Sequence, residues 1–381
     1  MNSEPLLSIV VVSRNDDHGG NLLYRMQLFA SSFLEQAKRH NLSSELIIVE
    51  WNPLPDRPRL AEALQWPEDT GPCVVRIIEV PPEIHSRFRY SDGLPLFQMI
   101  GKNAGIRRAR GRFVLATNID ILFSDELIRF FSSGQLKMEH MYRIDRYDVP
   151  FEIPQGVSIE EQLAYCQQNI IRINTRKGTQ ILGEGDDVAK LSISRYDILK
   201  KRIRANYSSF KEMVRTMHNL GDAARIMKAA LLYAYQFVAP YLYRLRGKPL
   251  HTNACGDFTL MANEHWLAVR GYPEYEMYSL YLDGLLCYAA HYNGAREIIL
   301  RDPMRIYHIE HAPGSGWAPG IGAKLLNDRL KTAGIPHLEY EKYTSMVRQM
   351  LITHKAIITN DEDWGLINAI LPETLITTGG I

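Results

Sequence analysis

The 381 residues contain no CxxC pair and no Cys/His cluster of zinc spacing. The four cysteines, Cys73, Cys166, Cys255 and Cys287, stand far apart, which predicts reduced, mostly buried thiols rather than a metal knuckle or a disulfide framework. Charge of one sign is also lacking. With 44 Lys+Arg against 43 Asp+Glu the net charge is +1, so no global field attracts a nucleic acid. Residues 1–5 do not open a basic-then-apolar leader, and no apolar run is long enough to span a bilayer. These absences lead to the expectation of a cytoplasmic protein without a nucleic-acid partner. The first apolar run is not followed by GxGxxG, which argues against a dinucleotide-dependent dehydrogenase. No fixed-period repeat or low-complexity tract is present. What remains is an ordinary globular balance, 46% hydrophobic and 23% charged, enough for a sizeable core.

Residues 6–13 (LLSIVVVS) form a β-branched apolar run that ends in a polar, glycine-containing segment, 14–20. Leu22, Met26, Phe29, Phe33 and Ala37 then recur at helical spacing over 21–40. Further strands are predicted at 45–49 (ELIIV), 74–80 (VVRIIEV) and 112–117 (RFVLAT), with a helix over 95–110 before the last. Strands alternating with helices indicate βαβ units, a mainly parallel sheet and right-handed crossovers. In such sheets ligands bind beyond the carboxyl ends of the strands. Three polar clusters fall there: Ser13, Arg14, Asn15 and Asp17; Glu50 and Asn52; Asn118 and Asp120. Each cluster taken singly also fits a loop whose side chains cap the next helix.

Residues 101–125 (GKNAGIRRARGRFVLATNIDILFSD) carry the densest signal. A basic helix with Lys102, Asn103 and Arg107 leads into an apolar strand that closes on Asn118-Ile119-Asp120. A carboxylate at a strand end faces the sheet edge, where it can hold a magnesium or manganese ion, and the helix supplies cations for a diphosphate. A second group spans 252–271, with Asp257 beside Gly256, followed by Asp283 at the start of an apolar helical stretch. Asp283 equally fits a helix-end carboxylate facing the dipole. A third group is His308 and His311 around Glu310, then a glycine-rich segment with Trp317. It suits a site-closing loop, and the histidines are too close together for a helical HExxH zinc site. Trp317 fits either stacking on a sugar or base or packing in the core.

In their order along the chain, the first-strand segment 10–17, the strand end 49–52, the helix 102–111 and the strand end 118–120 resemble family-2-like GT-A glycosyltransferases. The resemblance covers about the first 130 residues. It implies a Rossmann-like α/β domain, a nucleotide-diphosphate sugar as donor, Mn2+ or Mg2+ as cofactor, and inverting transfer to a hydroxyl of a glycan or lipid-linked acceptor in surface glycan or polysaccharide synthesis. Donor contacts are implied for Ser13, Arg14, Asn15, Asp17, Glu50, Asn52, Lys102, Asn103, Arg107, Asn118, Asp120 and Trp317. The first Asp of the family's DxD is Asn118 here, which shifts the metal contact to Asp120, with His311 or His308 as the C-terminal histidine such enzymes bring to the metal. By position and order Asp283 matches the catalytic base, and Asp257 is the second candidate. The Asn118 departure leaves a non-catalytic nucleotide-sugar-binding protein as one alternative. A sugar-nucleotide pyrophosphorylase is another, although residues 13–20 lack its glycine-rich basic signature.

The sequence divides into a nucleotide-sugar-binding part at 1–194, a basic helical insertion at 195–250, an acceptor part at 251–320 and a C-terminal helical extension at 321–381. The insertion is rich in Lys, Arg, Tyr and Leu and carries Pro240 within an apolar stretch. Two readings stand for it. It is a lid or oligomer interface, or residues 205–248 rest on anionic lipid at the inner face of the membrane.

Overall fold

The computed structural model describes residues 4–182, 249–311 and 322–376. The chain forms two compact units, one of Met1–Ala189 with His251–Ile381, the other Lys190–Leu250. The described fold is that of the first unit. The expected helical insertion at 195–250, the lipid-facing surface at 205–248 and Trp317 lie outside the described residues, apart from 249–250.

The first unit is α/β, with a mainly parallel central sheet flanked by helices. Strand β1 (Leu7–Ser13) is buried throughout. It pairs in parallel with β2 (Ser44–Trp51) on one side and β4 (Phe113–Thr117) on the other, and β2 pairs in parallel with β3 (Cys73–Val80). Such strands, covered on both faces, read as continuous apolar runs, which is why these four were legible. Beyond β4 lie β10 (Phe258–Ala262), antiparallel, then β6 (His140–Ile144) and β11 (Arg296–Leu300). At the other edge β13 (Glu373–Ile376) runs antiparallel to β3. The segment 321–381, expected as a helical extension, thus also contributes a strand to the sheet edge.

Helix α1 (Leu22–Arg39) buries Leu22, Met26, Phe29, Phe33 and Ala37 on one face, as the spacing requires. The short α2 (Leu60–Ala63) and α3 (Pro82–His85) precede α4 (Gln98–Ile106). Helix α4 lies directly on the strands because it carries glycine where it touches them. A Cβ at Gly101 would come 2.6 Å from Val12 Cγ2, and one at Gly105 2.6 Å from Val10 Cγ1. Helices α5 (Asp125–Ser132) and α6 (Ile159–Gln168) start from Ser124 and Ser158, whose hydroxyls accept from Leu127 and Glu161 N–H. Further on come α7 (Asn263–Val269), α8 (Leu282–Tyr292), α9 (Gly322–Thr332) and α10 (Tyr340–Thr353). Among the described residues no helix is long and apolar enough to cross a membrane.

A second sheet, in the order β5 (Ile121–Phe123), β12 (Ile306–Ile309), β7 (Arg146–Val149), β8 (Arg172–Thr175) and β9 (Gly178–Ile181), packs on its own apolar cluster of Leu28, Leu122, Val149, Ile153, Cys166, Tyr307 and Ile309. All four cysteines are buried and unpaired by disulfides.

Candidate metal and donor site

The chain leaves β4 at Thr117 and enters β5 at Ile121, so residues 118–120 bridge the two sheets. Strand β12 runs antiparallel to β5 with His308 opposite Ile121, and Ile309 N–H donates to the Asp120 carbonyl at 3.1 Å. That register sets His308 and, three residues on, His311 beside the Asp120 carboxylate. Their Nε2 atoms lie 3.8 and 3.9 Å from Asp120 Oδ2. One ligand atom from each of the three falls within 4.8 Å of the others. Strand pairing thus brings together residues 188 or more positions apart. His308 belongs to a strand rather than to the site-closing loop expected for it. The glycine-rich continuation, 312–321, lies outside the described residues.

The parallel neighbour of His308 in β7 is Asp148, and His308 Nδ1 lies 3.3 Å from Asp148 Oδ1. The contact is one of charge rather than a formed hydrogen bond, since neither atom has a hydrogen-bond partner among the described residues, and it leaves the Nε2 side of the ring toward Asp120. Asp148 is fully buried among cations: Arg146 Nε and Arg172 Nε each stand 2.8 Å from it, and Asn174 donates at 3.0 Å. Burial alone would raise its pKa, but Arg146, His308 and Arg172 together hold the carboxyl well below the usual carboxylate range. Arg172 also pairs with Glu310. Asp120 is buried too, and His308, Arg25 and His311 overcome its desolvation and keep its pKa below the ordinary value.

The donor set of one carboxylate and two imidazoles suits a first-row divalent ion such as manganese or zinc better than magnesium, which prefers oxygen throughout. Ligand bonds of about 2.1 Å set donors about 3.0–3.4 Å apart. The separations from Asp120 Oδ2, 3.8 and 3.9 Å, need to close by roughly half an ångström to one ångström, which side-chain rotation supplies. The residues therefore fit a divalent cation.

Asn118 takes no part in that set. Its Oδ1 accepts from Lys102 Nζ at 2.7 Å and from Gln98 Nε2 at 3.0 Å, while its Nδ2 donates to Asp257 Oδ1 at 2.5 Å. The second Asp257 oxygen accepts from Arg146 Nη1, also at 2.5 Å. Lys102, on the strand-facing side of α4, is wholly buried and donates in addition to the Gly256 carbonyl at 2.7 Å. Burial pushes its ammonium down to about 8 against the pull of Asp257, Asp283 and Asp120. Asp283 stands at the start of α8. Its Oδ2 accepts from Gly256 N–H and its Oδ1 from Gly284 N–H, both at 2.8 Å. The helix-end role is thus present, on the same peptide segment that Lys102 holds from the other side.

Models of known protein families were compared with the chain and none matches; no curated protein matches either. A search of solved structures finds the crystal structure of S. aureus TarS, at 12% identity and a TM-score of 0.38, over 91% of this chain and 43% of the TarS chain. The chain spans less than half of that protein, and the superposition is too loose to support an assignment. The site's own geometry has to carry it.

The remaining expected donor residues divide into two sets. At the carboxyl ends of β1 and β2, Arg14 Nη1 and Asn52 Nδ2 both donate to the Pro95 carbonyl, at 3.2 and 3.4 Å, and Asn15 Nδ2 donates to the Pro58 carbonyl at 3.0 Å. Ser13 donates to Met26 Sδ, and Asp17 Oδ1 accepts from Leu22 N–H at the start of α1. Both oxygens of buried Glu50 accept from Leu60 N–H, and burial pushes its carboxyl up to about 7. The other set turns away from the centre. Asn103 is fully buried in a brace to Tyr272 and Glu274, and Arg107 lies over the Trp364 ring at 5.0 Å.

Sequence reading missed Arg25, Arg146, Asp148 and Arg172. A signal existed for Arg25: it lies one turn from Leu22 on the apolar face of α1, where a cation is out of pattern. For Arg146 and Asp148 the only local sign is that they alternate with Tyr147 and Val149 in a four-residue strand. A cavity of about 520 Å³ lined by Tyr24, Gln27, Ser31 and Gln162 lies elsewhere, and none of the centre's residues borders it.

Proposed function

We propose that the protein is a nucleotide-sugar-dependent glycosyltransferase of GT-A type, using a divalent cation and inverting the anomeric centre. The observation that carries this reading is the cluster of Asp120, His308 and His311 at the end of β4, with the Lys102–Asn118–Asp257 chain and Asp283 beside it. Such a centre combines what diphosphate departure and hydroxyl attack both need.

Asp120, His308 and His311 would hold the cation, with manganese favoured by the two imidazoles. A bound cation offsets the charge that develops on the diphosphate leaving group. Lys102 adds a cation in a water-poor position, where its field is little screened. Arg14, Asn15 and Asn52 stand where the nucleoside end of a donor lies in a parallel sheet, past the strand ends. Asp283 is partly buried but not enclosed and, with lone pairs beyond its two backbone hydrogen bonds, can take the proton of an acceptor hydroxyl. Asp257, pinned between Asn118 and Arg146, is committed to holding the centre together, so Asp283 is the better base. In this reading the acceptor is a glycan or lipid-linked hydroxyl.

Asp283→Asn keeps an acceptor for only one of the Gly256 and Gly284 N–H groups and cannot take the proton. Transfer from a nucleotide sugar should fall by at least about a hundredfold while donor binding by calorimetry stays near the wild-type value. Unchanged turnover would remove Asp283 from the mechanism.

A further inference from the structure

We propose that Arg25 is a resident counter-ion of Asp120 that competes with the divalent cation and so sets how tightly the Asp120–His308–His311 cluster takes it up. This rests on the metal-site reading above. Arg25 Nη1 lies 2.8 Å from Asp120 Oδ2, the same oxygen that faces both histidines at 3.8 and 3.9 Å. A cation in the cluster must therefore draw its negative charge from an oxygen already held by a guanidinium. The guanidinium is about 1% exposed and cannot shed its proton in this pH range. A dication next to it, shielded from water, is repelled.

The same guanidinium ties down the loop between β1 and α1. Its Nη2 donates to the His18 carbonyl at 2.5 Å and to the Gly20 carbonyl at 3.3 Å. Gly19 between them lies so close that a Cβ there would come 3.1 Å from both Arg25 Nη2 and His311 Nδ1. Arg25 Nε is buried with no hydrogen-bond partner among the described residues. Arg25 is thus a loop anchor whose free charge is spent on Asp120, and it keeps that carboxylate compensated when no metal is bound. Metal affinity is the quantity that this arrangement lowers.

The test is Mn2+ binding, measured by loss of its free EPR signal and by calorimetry, on the full-length wild type and on Arg25→Met, Arg25→Gln and Arg25→Lys. Circular dichroism and thermal melting verify folding. The neutral variants should bind Mn2+ about tenfold more tightly or better, and Arg25→Lys, which keeps the charge, should stay within about threefold of wild type. Arg25→Gln keeps a donor for the loop carbonyls and serves as the neutral variant should Arg25→Met not fold. Unchanged or weaker Mn2+ binding in a folded neutral variant, with the wild type binding, overturns the role of Arg25 alone. No Mn2+ binding in any of the proteins removes the metal site itself, and the competition with it.

Discussion

Asn118 stands where the resembled enzymes carry an aspartate, and its contacts make the amide a requirement. One end faces an ammonium and the other a carboxylate, an arrangement only a group with both donor and acceptor can satisfy. Asn118→Asp would gain an ion pair with Lys102 but set two carboxylates against each other at Asp257. Such a pair shares a proton, so its folded-state pKa rises above the unfolded value. Stability of the variant relative to wild type should fall by about 1–3 kcal/mol between pH 5 and pH 8, measured by urea unfolding at both. A flat difference would contradict the contact. Glu50 gives a second pH signature. Its carboxyl titrates at about 7 when folded, against 4.5 as the ordinary value. Between those limits the folded state holds the proton more tightly, so this group's contribution to stability declines as pH rises through that window. Glu50→Gln, which keeps an acceptor for Leu60 N–H, should abolish that decline in denaturation curves across pH 4.5–7, and a retained slope would assign it to another group.

At the scale of elements, α4 depends on how closely it approaches the sheet. Alanine at 105 would gain about 1 kcal/mol of helix propensity over glycine, but its Cβ would meet Val10 Cγ1 at 2.6 Å and Val49 Cγ2 at 3.0 Å. Those methyls belong to buried strands that cannot give way, so the clash wins. Gly105→Ala should cost about 1–3 kcal/mol net and, by shifting the helix that carries Lys102, weaken donor binding as well. Calorimetric unfolding and ligand titration check both, and a stabilised variant would show that the helix has room to move. The same helix shows how much was legible in sequence. The parallel strands β1 to β4 and helix α1 follow from local apolar patterns. Helix α4 was expected over 95–110 and spans Gln98–Ile106, because the Pro95 carbonyl is taken by Arg14 and Asn52, contacts from distant strand ends that hold Pro95 outside the helix. Strand β12 was read as loop. Its four residues become a strand only through pairing with β5 and β7, whose sequence distance no local pattern reveals.

On the scale of the whole molecule, the site is made by topology. Asp120 was legible from its strand end and the histidines from the resemblance, and register joins them. Of the cations that hold the centre in place, Arg25 left a signal as a charge on the apolar face of α1, while Arg146 and Arg172 did not, because Asp257 and Asp148 meet them only through tertiary pairing. Closure of the sheet also depends on distant chain. Arg108 donates to the Gly365, Leu366 and Ala369 carbonyls, and Arg76 links Glu45 to Glu373 of β13. The most direct test of the account is calorimetric titration of nucleoside diphosphates, UDP, GDP, CDP, ADP and dTDP, with Mn2+ and again with EDTA, into wild type and Asp120→Asn. One nucleotide should bind wild type in the presence of Mn2+ and lose at least about tenfold in affinity on chelation and in the variant. No binding by any of them, or binding unaffected by EDTA and by Asp120→Asn, would contradict a metal–diphosphate centre at Asp120.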